Sequence, residues 1–187
     1  MKRIISIVGD RNVEKGSKKW NLAYSIAEKI IDEGYRIMTG GVGTLAEAVY
    51  EGAKASKKYT DGSVIAILPG FDPNAAEKSA DIGIATGLDV YRNVIIANSD
   101  AVIAIGGGAG TLSEISYAWS LKRLIICLAV DGWSGFLAGN KIDNRVRYGR
   151  IEEDQCFRAN DKTDVVEILR KNLNYYSKRH NGIPHKS

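Results

Sequence analysis

Short continuous runs of apolar residues alternate along the chain with segments whose apolar positions recur every three or four residues. The runs at 4–8 (IISIV), 64–68 (VIAIL), 101–105 (AVIAI) and 124–130 (LIICLAV) are rich in β-branched side chains and bounded by Gly, Asp or Pro. Strands buried on both faces read this way. Residues 35–39 (YRIMT) form a shorter candidate of the same kind, and 83–86 (GIAT) a weaker one. Between them, Trp20, Ala23, Ile26, Ala27, Ile30 and Ile31 trace one helix face, and Gly34 stops that helix. Leu45, Ala48, Val49, Gly52 and Ala53 repeat the pattern, as do Leu112, Ile115, Ala118 and Trp119. A last helix carries Val165, Ile168, Leu169 and Leu173, with Asp164 as its expected cap and Glu167 in the reciprocal capping position. Strands alternating with helices predict an α/β fold, a doubly wound parallel sheet in a Rossmann-like three-layer sandwich. Residues 1–176 are expected to form one domain, and 177–187 a basic C-terminal tail.

Two strand-to-helix corners carry nearly the same octet. GGVGTLAE runs over 40–47 after the second strand candidate, and GGAGTLSE over 107–114 after 101–105. In doubly wound folds ligands bind where strands end and helices begin. Glycines there let the backbone approach a ligand, and the first amides of the following helix favour an anion, most commonly a phosphate. Gly40 and Gly41 in the first octet, and Gly107, Gly108, Gly110 and Thr111 in the second, are therefore candidate phosphate-binding residues. Thr44 and Thr111 can cap their helices or add a hydroxyl to a phosphate. Glu47 and Glu114 stand at the Thr-x-x-Glu spacing of a capping box, so spacing alone makes neither catalytic.

Composition narrows the remaining chemistry. The 187 residues are 44% hydrophobic and 26% charged, ordinary for a globular chain. No apolar run is long enough to cross a bilayer, and the start MKRIISIVGD does not read as a signal peptide. With only Cys127 and Cys156 there is no disulfide framework, and the expected location is cytoplasmic. The net charge is +4; Lys178, Arg179 and Lys186 take +3 of it, leaving +1 on the body, so a nucleic-acid partner is not expected. Both histidines lie in the tail, at His180 and His185, and no cluster has metal-ligand spacing, so no metal is expected. There is no GxxxxGK[ST] loop. GGGAGT (106–111) approaches a dinucleotide fingerprint, with Asp131 where a ribose-binding acid would sit, but Thr111 occupies its third glycine position.

With those residues set out, GGAGTLSE resembles the PGGxGTxxE signature of the Lonely Guy cytokinin-activating phosphoribohydrolases, long mislabelled lysine decarboxylases. The wider superfamily includes DNA-processing protein A and many Rossmann-like nucleotide-binding proteins. IVGDRN resembles the first phosphate-side loop, which adds Gly9 and Asp10 to the expected nucleotide contacts. YRNVIIANSDAVIAIGGGAGTLSE resembles the family's arginine-bearing helix, strand and signature. The resemblance, over about residues 3–140, implies Arg92 and Glu114 as catalytic residues that hydrolyse a nucleoside 5′-monophosphate to free base and ribose 5-phosphate. A carboxylate beside the ribose would stabilise the positive charge that builds on it, and an arginine would hold phosphate or ribose. It also implies a small-molecule nucleotide as ligand, no required cofactor, and a homodimer, with Tyr117, Trp119 and the segment after Gly132 as candidate contacts. Gly106 replaces the signature proline, Asn93 follows Arg92 where lysine is common, and Asp10 and Arg11, able to pair with each other, stand where small hydroxyl residues are usual. These departures mark a divergent branch. They keep a non-catalytic nucleotide or nucleotide-cofactor carrier as the second expectation, and the resemblance to DNA-processing protein A keeps single-stranded DNA binding as a third.

Overall fold

The computed structural model describes residues 2–177; the basic segment 178–187, with both histidines, lies outside them. Seven strands form one sheet: β1 (Ile4–Gly9), β2 (Arg36–Thr39), β3 (Val64–Leu68), β4 (Ile82–Ala85), β5 (Ala101–Ile105), β6 (Leu124–Leu128) and β7 (Cys156–Ala159). Every pairing is parallel, in the order β4-β3-β2-β1-β5-β6-β7. The helices are α1 (Lys18–Asp32), α2 (Thr44–Ala55), α3 (Asn93–Ala97), α4 (Ala109–Ser120), α5 (Trp133–Leu137) and α6 (Lys162–Asn172). This is the doubly wound, Rossmann-like α/β sandwich that the alternation predicts.

Local chemistry explains most boundaries. The Ser17 side chain accepts from the Trp20 amide at 3.3 Å and opens α1. Gly34 closes it in the left-handed region, φ 86°, with its amide on the Ile31 carbonyl. The last helix begins one turn earlier than its pattern suggested. Asp161, not Asp164, is the cap, accepting from the amides of Thr163 and Asp164 at 2.7 and 3.1 Å. Strand β7 has no counterpart among the predicted strands: its four residues include Arg158 and follow the acidic stretch 152–154, so no apolar run marks it.

Two hydrophobic layers flank the sheet. Ile5, Ile7, Ile37, Ile103 and Ile126 point into the layer with α1, α2 and α6. Val8, Val102, Ala104 and Ile125 point into the layer with Ile96 and Ala97 of α3 and Ile115, Ala118 and Trp119 of α4. Beyond α5 the chain is pinned by a buried ion pair. Arg147 Nε donates to Asp154 at 2.8 Å, its Nη1 donates to the carbonyls of Trp119 and Arg123, and its guanidinium lies 3.7 Å above the Trp119 ring. Asp154 also accepts from the buried Tyr176 hydroxyl at 2.7 Å. A buried pair adds little over an apolar replacement, but removing one partner strands a charge. Asp154→Ala is therefore expected to cost about 3–5 kcal/mol in urea denaturation. Asp154→Asn keeps one acceptor oxygen but turns an amide NH2 toward the guanidinium and leaves its charge unpaired, so it is expected to cost a similar amount.

Candidate functional site

Strands β2, β1 and β5 are neighbours, so the two glycine octets and the Gly9–Asp10 loop leave adjacent carboxyl ends of the sheet. They enclose a cleft of about 400 Å3, within the range of small-molecule sites. Gly9, Asp10, Gly40, Arg92, Gly108, Gly110, Thr111 and Glu114 all line it. Gly41 and Gly107 do not. Gly41 packs over Ala66 and Leu68 and borders a neighbouring hollow with Glu47. The Gly107 carbonyl accepts from the Trp133 amide at 3.0 Å, which ties the second octet to α5.

The octets match in sequence but not in helical frame. Helix α2 starts at Thr44 behind a Gly43 cap, whereas α4 starts two residues before Thr111 behind a Gly108 cap. Neither cap has a side-chain hydrogen bond, so neither octet forms the expected capping box. The threonine hydroxyls instead hold loops: Thr44 Oγ1 accepts from the Val13 amide at 2.6 Å, and Thr111 Oγ1 donates to the Gly9 carbonyl at 3.0 Å. Gly108, Gly110 and Thr111 at the start of α4 thus line the cleft without a side-chain cap, the arrangement that favours an anion. The frame difference also separates the glutamates. Glu47 is half-buried beside the hollow, while Glu114 is buried in the cleft wall.

Arg92 reaches the cleft from a tight turn, Asp89–Arg92, that runs into α3. Asp89 holds φ 47°, in the left-handed region that non-glycine residues rarely occupy, and its amide donates to the Pro69 carbonyl at 3.1 Å. Such a conformation costs on the order of 1–3 kcal/mol and persists where the surroundings enforce it. The guanidinium comes to rest against Gly40: a Cβ there would lie 2.9 Å from Arg92 Nη1. The first octet therefore contributes to the site by making room for the arginine. Arg92 Nε and Nη1 are buried with no hydrogen-bond partner, a costly state for a charged group unless something arrives to fill it.

Burial also sets the ionisation of this pair. Desolvation pushes the Glu114 carboxyl up from 4.5 to about 7, and attraction to Arg92 opposes the rise. Desolvation likewise lowers Arg92, against the pull of Glu114 and Asp89 and with a small push from Arg11. A carboxyl that titrates near neutrality beside a cation is suited to proton transfer or to donating a hydrogen bond to an anion.

Some expected contacts are rearranged. Asp10 pairs with Lys19 at 2.6 Å and not with Arg11, and Lys19 also holds the exposed Asp131 at 3.0 Å. Asn93 lines the cleft and donates to Ser113 Oγ at 2.8 Å, which joins α3 to α4. Asp89, Val90 and Thr39 also line the cleft, and no sequence motif marks them. Trp119 is buried under Arg147 and cannot meet a partner, whereas Tyr117, Trp133 and Phe136 are exposed. Among the described residues no group of three His, Cys, Asp or Glu side chains is placed to hold a metal ion, and no helix is long and apolar enough to cross a membrane.

Comparison with known proteins bears on the family and the fold. An uncharacterized protein of Archaeoglobus fulgidus is 39% identical over 115 residues, 61% of this chain and 72% of that protein. The structure of the molybdenum cofactor binding protein from the phototrophic bacterium Rippkaea orientalis is 29% identical, with a TM-score of 0.70 over 91% of this chain and 96% of that one. The molybdenum cofactor carrier protein of Chlamydomonas reinhardtii, at 24% identity and a TM-score of 0.69 over 93% of this chain and 99% of that one, shares the fold. Residues 2–166, which hold every element from β1 to the first turns of α6 and the whole cleft, match the SLOG cluster4 family, and the chain belongs to that family.

Proposed function

We propose that the chain is a binding protein for a phosphorylated, nucleotide-type small molecule: a nucleoside 5′-monophosphate, or a nucleotide-like cofactor of the kind that the Rippkaea orientalis protein is named for. The observation that carries this reading is the buried Arg92 guanidinium, two of whose nitrogens have no partner, in a cleft also lined by the uncapped start of α4. A phosphate accepts from both donor sets at once. The molybdenum cofactor bears a phosphate on its pterin, so Arg92, Gly108 and Gly110 fit that group as they fit a nucleotide phosphate. The cofactor's redox chemistry would belong to whichever enzyme uses it. Here Arg92 binds and orients the phosphate, and protonated Glu114 donates a hydrogen bond beside it.

A second reading, hydrolysis of the N-glycosidic bond, rests on Glu114. With a carboxyl near neutrality in the same cleft, it can protonate the departing base and, once ionised, take back the proton of the water that adds to the ribose carbon, giving free base and ribose 5-phosphate. Chromatography of AMP incubated with the protein separates the readings. The binding protein returns AMP intact from a stoichiometric complex. The hydrolase releases adenine, and Glu114→Gln abolishes that release.

Calorimetric titration with AMP, and fluorescence titration with molybdenum cofactor, test the binding reading. Arg92→Ala is expected to weaken the bound phosphate about 10- to 100-fold, the worth of a charge-assisted hydrogen bond. Arg92→Lys is expected to recover little, because a point charge cannot reproduce the planar donors. Unchanged affinity for both ligands in Arg92→Ala overturns the reading.

Glu114 also sets a pH dependence. Its folded value lies above the ordinary 4.5, so between pH 4.5 and about 7 the folded chain holds a proton that the unfolded chain has lost. Its burial therefore costs nothing below pH 4.5 and destabilises increasingly as pH rises to 7, by about 3 kcal/mol once the group is ionised. Glu114→Gln is expected to raise the melting temperature at pH 8 and to leave it nearly unchanged at pH 4.5. An equal effect at both values excludes the mechanism.

A further inference from the structure

The first octet carries a glutamate that the cleft does not use. Glu47 stands in the hollow on the other side of the α2 start, a space of about 360 Å3. The first turn of α2 is the partition: Leu45 and Ala46 line the cleft, whereas Gly43 and Glu47 line the hollow. The opposite wall is the segment 74–79, between β3 and β4. Ser79 is buried, and its hydroxyl donates to the Gly41 carbonyl at 3.0 Å, which fastens that segment to the octet. Gly83 lets the tight turn Pro73–Ala76 lie directly on β4, since a Cβ there would come 2.5 Å from the Pro73 carbonyl oxygen. Arg11 and Val42 line both spaces, so cleft and hollow meet along them. Arg11 can cross at that border only because residue 43 is glycine; a Cβ on Gly43 would overlap the Arg11 carbonyl.

The hollow is polar and its charges are unpaired. Two cations, Arg11 and Lys78, and two carboxylates, Glu47 and Glu77, line it together with Asn74. Among the described residues none of these four charged side chains forms an ion pair. Equal numbers of each sign give no net attraction for a second phosphate. They set acceptors beside donors, which fits a neutral group with a polar edge. The need for a ligand comes from the adjoining cleft. There the Arg92 guanidinium, buried and without partners at two nitrogens, rests against Gly40, and the next residue, Gly41, borders the hollow. A phosphate held by Arg92 therefore leaves the rest of its molecule a short path past Arg11 into the hollow.

We propose that the hollow holds the base of the nucleotide whose phosphate lies against Arg92, and that Glu47 selects guanine. This assignment rests on the binding function proposed above. Guanine carries two adjacent donors on its pairing edge, N1–H and the N2 amine, and a single carboxylate accepts from both. Its O6 and N7 accept from an arginine fork, and Arg11 stands where the base enters. Adenine turns its N1, an acceptor, toward the same carboxylate and keeps only the N6 amine as donor, so Glu47 discriminates against it. The two glutamates of the repeated octet then serve opposite ends of one ligand, Glu114 beside the phosphate and Glu47 at the base.

Calorimetric titration of the full chain with GMP, IMP and AMP tests the assignment. GMP is expected to bind about 10- to 100-fold more tightly than AMP, the worth of a hydrogen bond to a charged group. IMP, which lacks the N2 amine, is expected between them. Glu47→Gln exchanges one acceptor oxygen for a donor. It is expected to weaken GMP about tenfold and AMP not at all, and the retained AMP affinity shows that the variant is folded. Arg92→Ala is expected to weaken both nucleotides by the same factor, because it acts on the phosphate they share. GMP bound no more tightly than AMP, or a GMP-to-AMP ratio that Glu47→Gln leaves unchanged, overturns the base assignment and leaves the phosphate reading standing. Failure of both nucleotides to bind overturns the two together.

Discussion

An arginine and a glutamic acid are kept out of water in one cleft, and the site follows from what that costs. Burial lowers Arg92 and raises Glu114 because each charged form loses its hydration, and their mutual attraction offsets only part of the loss. Two guanidinium nitrogens remain without partners. A fold carries such a group when something else holds it there. Here that is a glycine that leaves it space, a turn strained at Asp89, and a sheet rigid enough to keep both in place. That deficit in hydrogen bonding is the basis of the proposed affinity of the cleft for an anion.

The repeated octet acquires its meaning from that constraint. Its two copies do different work although they differ at only two positions. The first removes side-chain atoms from the path of Arg92 at Gly40 and braces the Val13 loop through Thr44. The second supplies open helix amides and the buried carboxyl, and binds the end of β1 through Thr111. A shift of two residues in where the helix begins is enough to place one glutamate in the cleft and leave the other beside a shallow hollow.

Much of the fold was legible residue by residue. Continuous β-branched runs mark β1, β3, β5 and β6 because strands buried on both faces admit little else, and the stripe from Trp20 to Ile31 marks α1 because its other face meets water. Strand β7 escaped because an edge strand with Arg158 needs no apolar run. The start of α6 was misplaced because Asp161 and Asp164 are equally good caps as residues, and only the turn geometry chooses between them. Of the site, Arg92, Glu114, Gly9, Asp10, Gly40, Gly108, Gly110 and Thr111 were identifiable from motif and resemblance. Asp89, Val90 and Thr39 were not, since their place in the cleft comes from the crossing of loops distant in sequence.

The sequence by itself determined the alternation of strands and helices, the two glycine corners and the residue types available to bind an anion. These are properties of neighbours along the chain, where periodicity and backbone freedom act directly. The tertiary structure decided that both corners open into one cleft, that the threonines brace loops instead of capping helices, that Asp10 answers Lys19, and that Glu114 rather than Glu47 is desolvated. Each of these depends on strand order and helical frame. Burial and the distance between charges are set by residues far apart in sequence, so no local pattern encodes them.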